Sequence, residues 1–124
     1  MNSLHIAQTK STPGVDYLPE ERLVRISGIS TPINAFEFYD QIIQWVQSIQ
    51  RQKEDKMTFF FHLPYFNSAS MKGLHMLIEA IKEGITAGLD WKIKWVVEAE
   101  DEFMQDAADS FQDLLNVHIE IVEE

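Results

Sequence analysis

The chain has no cysteine. That excludes a disulfide framework, a thiolate zinc site and a cysteine nucleophile. It also fits a reducing compartment. Cationic residues are few: 10 Lys and Arg stand against 20 Asp and Glu, for a net charge of −10. A nucleic-acid backbone is held by Lys/Arg clusters that displace counterions, so the acidic excess argues against such a ligand. It disfavours anionic membranes equally, and it suits either solubility or a partner with a basic surface. No apolar run approaches the ~20 residues that span a bilayer, and Met1–Lys10 lacks the core of a signal peptide. The expectation is a soluble, cytoplasmic protein.

What is present is enough for one compact unit. The 124 residues are 45% hydrophobic and 24% charged, with the charges interspersed, so the whole of 1–124 reads as a single folded domain. Leu4–Thr9 is a candidate first strand. Ser11–Glu21, with Pro13, Gly14 and Pro19, reads as a turn-rich connection. Leu23–Ser30 alternates as a half-buried strand. Phe36, Tyr39, Ile42, Ile43, Val46 and Ile49 form one face of a helix ending near Arg51. Phe38, Trp45 and Met76 fall outside the cleanest stripes and read either as an exposed contact patch or as a wider core.

Met57–Leu63, with Phe59, Phe60 and Phe61 in a row, predicts a strand buried on both faces. Met71, Leu74, Ile78, Ile81 and Ile85 mark a second helix, ending at Gly84 and Gly88. Leu89–Glu98 alternates as a strand. Phe103, Ala107, Phe111 and Leu114 mark a third helix, and Val117, Ile119 and Ile121 a last strand. The predicted order is β-β-α-β-α-β-α-β. That implies an α/β fold with a mixed, mostly parallel sheet, three helices and an antiparallel edge near the N-terminus.

Catalytic chemistry is hard to place. His5, His62, His75 and His118 show no metal-ligand spacing. No nucleophile elbow or Gly-rich phosphate loop is present, and the many carboxylates nominate no acid–base pair. No cofactor, no metal site and no enzymatic activity are expected. The informative stretch is Tyr65-Phe66-Asn67-Ser68-Ala69-Ser70-Met71-Lys72, between a buried strand and a helix, where open α/β sheets place functional groups. Local chemistry favours plain helix capping by Asn67, Ser68 or Ser70. It also allows a phosphate on serine, received by free amides and the helix dipole, with Lys72 near enough to help neutralise it.

These residues resemble the SiaC-type bacterial regulatory phosphoproteins, whose fold is STAS-like. Leu4-His5-Ile6 with Thr9, Thr12 and Pro13 is similar to the family's opening. Gly28-Ile29-Ser30-Thr31-Pro32-Ile33-Asn34 with Phe38-Tyr39 resembles its Gly-x-Ser-x-Pro-Glu-Asn stretch followed by Phe-Tyr. Tyr65–Ser70 resembles Tyr-x-Asn-Thr/Ser-Ser/Ala-Ser, and Trp95 with Asp101, Glu102 and Met104 resembles the closing region. The order and spacing of these stretches, more than any one of them, carry the likeness.

The resemblance implies a non-catalytic signalling switch. A partner serine/threonine kinase would phosphorylate the hydroxyl after the Asn, here Ser68, with Ser70 as the competing acceptor. A cognate metal-dependent phosphatase would reverse it. The unphosphorylated form would bind and activate a partner such as a diguanylate cyclase, in cyclic-di-GMP and biofilm signalling. Asn67 and Lys72 would surround the phosphate, and Tyr65, Phe66, Met71 and His75 would contact the partner. Two alternatives stand beside this: an anti-sigma-factor antagonist, another STAS protein with a phosphorylatable serine at that corner, and a small enzyme. Ile33 replaces the family's Glu, and Ser68 its frequent Thr.

Overall fold

The structure, a computed structural model, describes residues 3–124. Strands β1 (His5–Ile6), β2 (Gly14–Leu18) and β3 (Leu23–Ser27) come first. Then follow α1 (Ala35–Arg51), β4 (Met57–His62), α2 (Ser68–Thr86), β5 (Trp91–Val97), α3 (Glu102–Leu115) and β6 (Glu120–Glu123). The six strands form one sheet in sequence order. β1–β2 and β2–β3 pair antiparallel, whereas β3–β4, β4–β5 and β5–β6 pair parallel.

The mixed, mostly parallel sheet, three helices and antiparallel edge agree with the sequence. One strand was not legible. Gly14–Leu18 lies inside the stretch expected to be a turn-rich connection, and it pairs with β3 along its whole length. Pro13 and Pro19 bracket this strand from outside, so neither removes a donor from its ladder.

Parallel crossovers are right-handed, and here each one steps to the next strand in the same direction. All three helices therefore lie on one face of the sheet. The strand residues of that face are register partners: Val15 with Ile26, Ile26 with Phe61, Phe61 with Trp95, and Val24 with Phe59. They join the helices in one core that includes Ile42, Val46, Leu74, Ile78 and Phe111. Phe61, Phe66 and Phe111 surround Trp95 at ring separations of 5.4, 6.3 and 5.7 Å.

The other face has no helix over it, and this corrects the reading of β4 as buried on both sides. Phe59 and Phe61 are fully buried, but Phe60 faces outward and is half-buried. Its register row carries Asp16, Arg25, Lys94 and Glu120 across the sheet. Arg25 lies over the Phe60 ring, Lys94 pairs with Glu120 at 3.8 Å, and His5 pairs with Asp16. Alternating opposite charges on neighbouring strands suit a solvated sheet face.

Two helix faces also differ from expectation. In α1, Phe38 and Trp45 are buried while Phe36 is exposed, so the wider-core reading holds for them; Met76 is half-buried against the core. In α3, Met104, Ala108 and Leu115 are buried with Ala107 and Phe111, whereas Phe103 and Leu114 are exposed. In each case the neighbouring position takes the buried face, Ala35 beside Phe36, Met104 beside Phe103 and Leu115 beside Leu114, so the buried stripe is turned by one residue from the expected one. No described helix is long and apolar enough to cross a membrane.

Candidate functional site

The stretch singled out in the sequence forms the corner between β4 and α2. After His62 the chain runs alongside the end of β3. The Gly28 amide donates to the His62 carbonyl at 3.0 Å, the Ser30 amide to Tyr65 at 2.9 Å, and the Asn67 amide to Ser30 at 3.2 Å. Ser30 and Phe66 thus form a parallel bridge beyond the named strands. The corner is held by backbone bonds on both sides of Phe66.

Three polar side chains then divide the work. Asn67 is the N-cap: its side-chain oxygen accepts from the Ser70 amide at 2.9 Å, and its carbonyl from the Met71 amide at 3.1 Å. Ser70 is 0% exposed. Its hydroxyl donates to the Ser30 carbonyl at 2.8 Å and accepts from the Ser30 hydroxyl at 2.9 Å. The Ser30 oxygen in turn accepts from the Tyr39 hydroxyl at 2.6 Å. Ser68, the first residue of α2, is exposed, and its hydroxyl has no hydrogen-bond partner among the described residues.

The capping task that local sequence spread over Asn67, Ser68 and Ser70 is carried by Asn67. Ser70 ties α2 to the β3–α1 corner, and Ser68 is left free. Sequence reasoning missed Ser30 and Tyr39 as members of this cluster. Tyr39 is recognisable as a member of the α1 stripe, but nothing in the one-dimensional pattern aims its hydroxyl at Ser30.

Replacing Ser70 by alanine removes the donor to the Ser30 carbonyl and one partner of the Ser30 hydroxyl, both buried. Chemical denaturation is expected to show a loss of about 1–3 kcal/mol. An unchanged midpoint would show that the cluster contributes nothing.

Burial pushes the Tyr39 phenol up to about 12 from its ordinary 10.0, against hydrogen bonds from Ser30 and Ser70 that pull the other way. The fold therefore holds the neutral phenol more tightly than the unfolded chain does. Stability from this group is complete below pH 10 and declines as pH rises toward 12. The loss amounts to about 2–3 kcal/mol. Urea unfolding followed across that window is expected to show the decline, and Tyr39→Phe to flatten it. An equal decline in both would remove Tyr39 as its source.

The electrostatic setting of Ser68 is unlike that of the other helix starts. Glu37 lies in the first turn of α1 and Glu102 in that of α3, but α2 has no acidic residue in its first turn. Asn67 occupies the Ser70 amide, and the amides of Ser68 and Ala69 have no acceptor among the described residues. Lys72 follows one turn on, exposed and without an ion pair among those residues, and half-buried His75 follows in the next turn. In a chain of net charge −10, this helix start is one place where added negative charge meets free donors and a cation.

Large apolar side chains are exposed in the chain segments that lead into α1, α2 and α3. Tyr65 and Met71 are exposed as expected, and so are Ile33, Phe36 and Phe103, which were not singled out as contacts. Phe66 is a correction: it is 1% exposed, with its ring packed between Trp95 and Phe103. It supports the corner from inside and cannot present its ring to a partner. Phe36, Ala69, Lys72, Gly73 and Met76 line a groove of about 310 Å³ between α1 and α2, beside Ser68.

The groups with displaced pKa values do not converge on a catalytic centre. Tyr39 lies in the closed hydroxyl cluster, and Tyr17, raised chiefly by burial, lies on β2. Asp55, held low chiefly by the Asp90 amide, precedes β4 at the far end of the sheet from the corner. Fold and corner together define a small α/β protein with an exposed, unbonded serine hydroxyl on a strand–helix turn.

The wider relationships agree. The family model for SiaC family regulatory phosphoproteins matches residues 6–124. The chain belongs to the SiaC family of regulatory phosphoproteins. An uncharacterised protein of Pseudomonas aeruginosa (strain UCBPP-PA14) is 25% identical over 113 residues, covering 91% of this chain and 90% of that one. SiaC of Pseudomonas aeruginosa superposes with a TM-score of 0.88 over 100% of both chains at 22% identity. A matching chain in the crystal structure of the diguanylate cyclase SiaD in complex with its activator SiaC, also from Pseudomonas aeruginosa, gives a TM-score of 0.87. That match is 23% identical and covers 98% of this chain and 99% of that one.

Proposed function

We propose that Ser68 is the phosphoacceptor of this regulatory phosphoprotein, and that the unphosphorylated protein binds and activates a diguanylate cyclase. The observation that carries the reading is the unbonded Ser68 hydroxyl, at the first position of a helix with no acid in its first turn. Ser70 is the poorer acceptor, because a kinase must first extract its buried hydroxyl from two hydrogen bonds.

The role is that of a non-catalytic switch. A phosphoryl group on Ser68 gains the Ser68 and Ala69 amides and the Lys72 ammonium as neutralising neighbours. It also places close to two negative charges beside Tyr65, Met71 and the groove that Phe36 lines. Desolvating that charge against an apolar partner surface is costly, so phosphorylation releases the partner without unfolding the protein. The cyclase is chosen on family membership and on the SiaD–SiaC complex of the structural relative. A kinase and a metal-dependent phosphatase complete the cycle in the cytoplasm.

The test is affinity capture from the native cell with unphosphorylated and Ser68-phosphorylated protein. The expected result is a diguanylate cyclase retained by the first and lost from the second by at least about tenfold, or ~1.4 kcal/mol. Equal retention by both forms would overturn the switch. Capture of an anti-sigma factor in place of a cyclase would overturn the partner.

A further inference from the structure

The parallel strands β3, β4 and β5 all finish on the same side of the sheet, so the segments that follow them into α1, α2 and α3 share one end of the domain. β6 runs parallel to β5 and finishes there too, at Glu123. Exposed apolar side chains gather at that end. Among the described residues seven large hydrophobic side chains are exposed. Six of them, Ile29, Ile33, Phe36, Tyr65, Met71 and Phe103, stand in these segments or in the first turns of the helices they start. Leu114, near the end of α3, is the exception. Local contacts link the three segments. The Ser30 amide, next to Ile29, donates to the Tyr65 carbonyl at 2.9 Å. The Phe103 ring lies 5.3 Å from that of Phe66, next to Tyr65, and Phe36 shares its groove with Ala69, Lys72 and Met76 on α2.

The charge at this end is one-sided. Residues 28–37, 63–72, 98–104 and 123–124 contain Lys72 as their one Lys or Arg, and Lys10 stands on the neighbouring β1–β2 connection. The same segments carry Glu37, Glu98, Glu100, Asp101, Glu102, Glu123 and Glu124. Five of these, Glu98, Glu100, Asp101, Glu102 and Glu123, line one hollow at the start of α3, where Phe103 follows. His62 lies 3.5 Å from Glu98 and 4.0 Å from Glu124, and Asp101 caps α3. Glu100, Glu102 and Glu123 have no ion-pair partner among the described residues. Arg22, Arg51, Lys53 and Lys56 lie in or beside the turns at the opposite end of the sheet.

We propose that this end of the sheet receives the protein partner, and that the partner meets it with large apolar side chains bordered by lysine or arginine. Exposed apolar side chains gathered in one region mark an association site. Charge selects the occupant. Anionic lipid and nucleic acid are repelled, and a second copy would bring carboxylates against carboxylates. A basic border over the carboxylates at the start of α3 leaves apolar side chains to cover Phe103, Tyr65 and Met71. Ser68 stands three residues from both Tyr65 and Met71, so a phosphate on it meets the apolar part of the partner. The inference rests on the reading that the unphosphorylated chain binds a protein, but not on that protein being a cyclase.

The test has two arms. In the first, the unphosphorylated full chain is titrated by amide-resolved NMR with two helical peptides that share one leucine face, bordered by lysine in one and by glutamate in the other. The lysine peptide is expected to give saturable shifts at residues 28–37, 63–72 and 98–104, weakened by added salt. The glutamate peptide is expected to bind at least about tenfold more weakly. Tyr65→Ser combined with Phe103→Ser is expected to weaken the lysine peptide about tenfold or more. Glu100→Lys combined with Glu123→Lys, both at exposed positions, gives a second variant should the first unfold. No saturable shifts, shifts confined to other residues, equal response to both peptides, or unchanged affinity in a folded variant would each overturn the proposal. Concentration-dependent shifts of these residues in the chain alone would overturn it in favour of a second copy. In the second arm the capture from the native cell is repeated with the Tyr65→Ser, Phe103→Ser chain. A cyclase held equally by wild type and variant would overturn this surface and leave the switch standing. A cyclase held by neither would remove the cyclase as partner, and the peptides would decide the surface alone.

Discussion

Ser68→Ala is expected to abolish phosphate incorporation by the cognate kinase, with intact mass showing one added phosphate on the wild-type chain and none on the variant. The expectation rests on the division of roles at the corner. Ser68 is exposed and bonded to nothing among the described residues, whereas Ser70 is fully buried in the hydroxyl cluster. The substitution removes no hydrogen bond and leaves the Asn67 cap in place. Alanine is well tolerated in a helix, so stability should move by no more than about 0.5 kcal/mol. That neutrality makes the experiment decisive, because a loss of phosphate cannot then be ascribed to unfolding. A phosphate that persisted on the variant and mapped to Ser70 would defeat the assignment.

The second large effect concerns the packing of α2 on the sheet. Gly84→Ala is expected to destabilise the protein by about 1–3 kcal/mol, against the usual gain of about 1 kcal/mol for that exchange within a helix. A Cβ at Gly84 would lie 2.1, 2.3 and 2.7 Å from three ring atoms of Trp91. The ring cannot step aside easily. Trp91 is buried, its indole N–H donates to the Glu54 carbonyl at 2.7 Å, and it packs edge-on to Phe59 at 5.4 Å. Relief therefore requires α2 to lift from β5. Gly73 makes a similar approach to Tyr39, with the nearest ring atom 2.4 Å from a would-be Cβ. Thermal or urea unfolding measures the effect, and a Gly84→Ala protein more stable than wild type would refute it.

The two glycines show why α1, α2 and the sheet can approach closely at both ends of α2. Gly73 lets α2 settle on Tyr39, whose hydroxyl meets Ser30 and thereby the Ser70 cluster. The free serine at the corner thus depends on a packed helix pair beneath it. In the sequence Gly84 reads as a helix-end signal, yet the helix continues to Thr86 with Gly84 buried in its last turns. Its small size serves the Trp91 contact.

Periodicity alone was enough to place the three helices and the strands β3, β4 and β5. The spacing of Ile42, Ile43, Val46 and Ile49, or of Leu74, Ile78 and Ile81, fits one buried helical face and no strand. Composition pointed away from thiol chemistry and nucleic-acid binding, and the resemblance at Tyr65–Ser70 pointed to the strand–helix corner. What periodicity cannot supply is the identity of the surface opposite each face. It marked Phe36, Phe103 and Leu114 as core although their neighbours Ala35, Met104 and Leu115 take the buried face, and it buried Phe60 on a face that no helix covers.

Ser68 and Ser70 show the same limit at the site itself. Two residues apart at a helix start, they are alike in sequence. Only the approach of Ser30, 40 positions away in the chain, buries one hydroxyl and leaves the other in solvent. That contact depends on β3 running alongside β4 and on α1 packing against α2. The sequence by itself settled the three helices, the strands other than Gly14–Leu18, and the corner, because these follow from local spacing and composition. The tertiary structure decided which serine is free, because accessibility depends on residues distant in the chain.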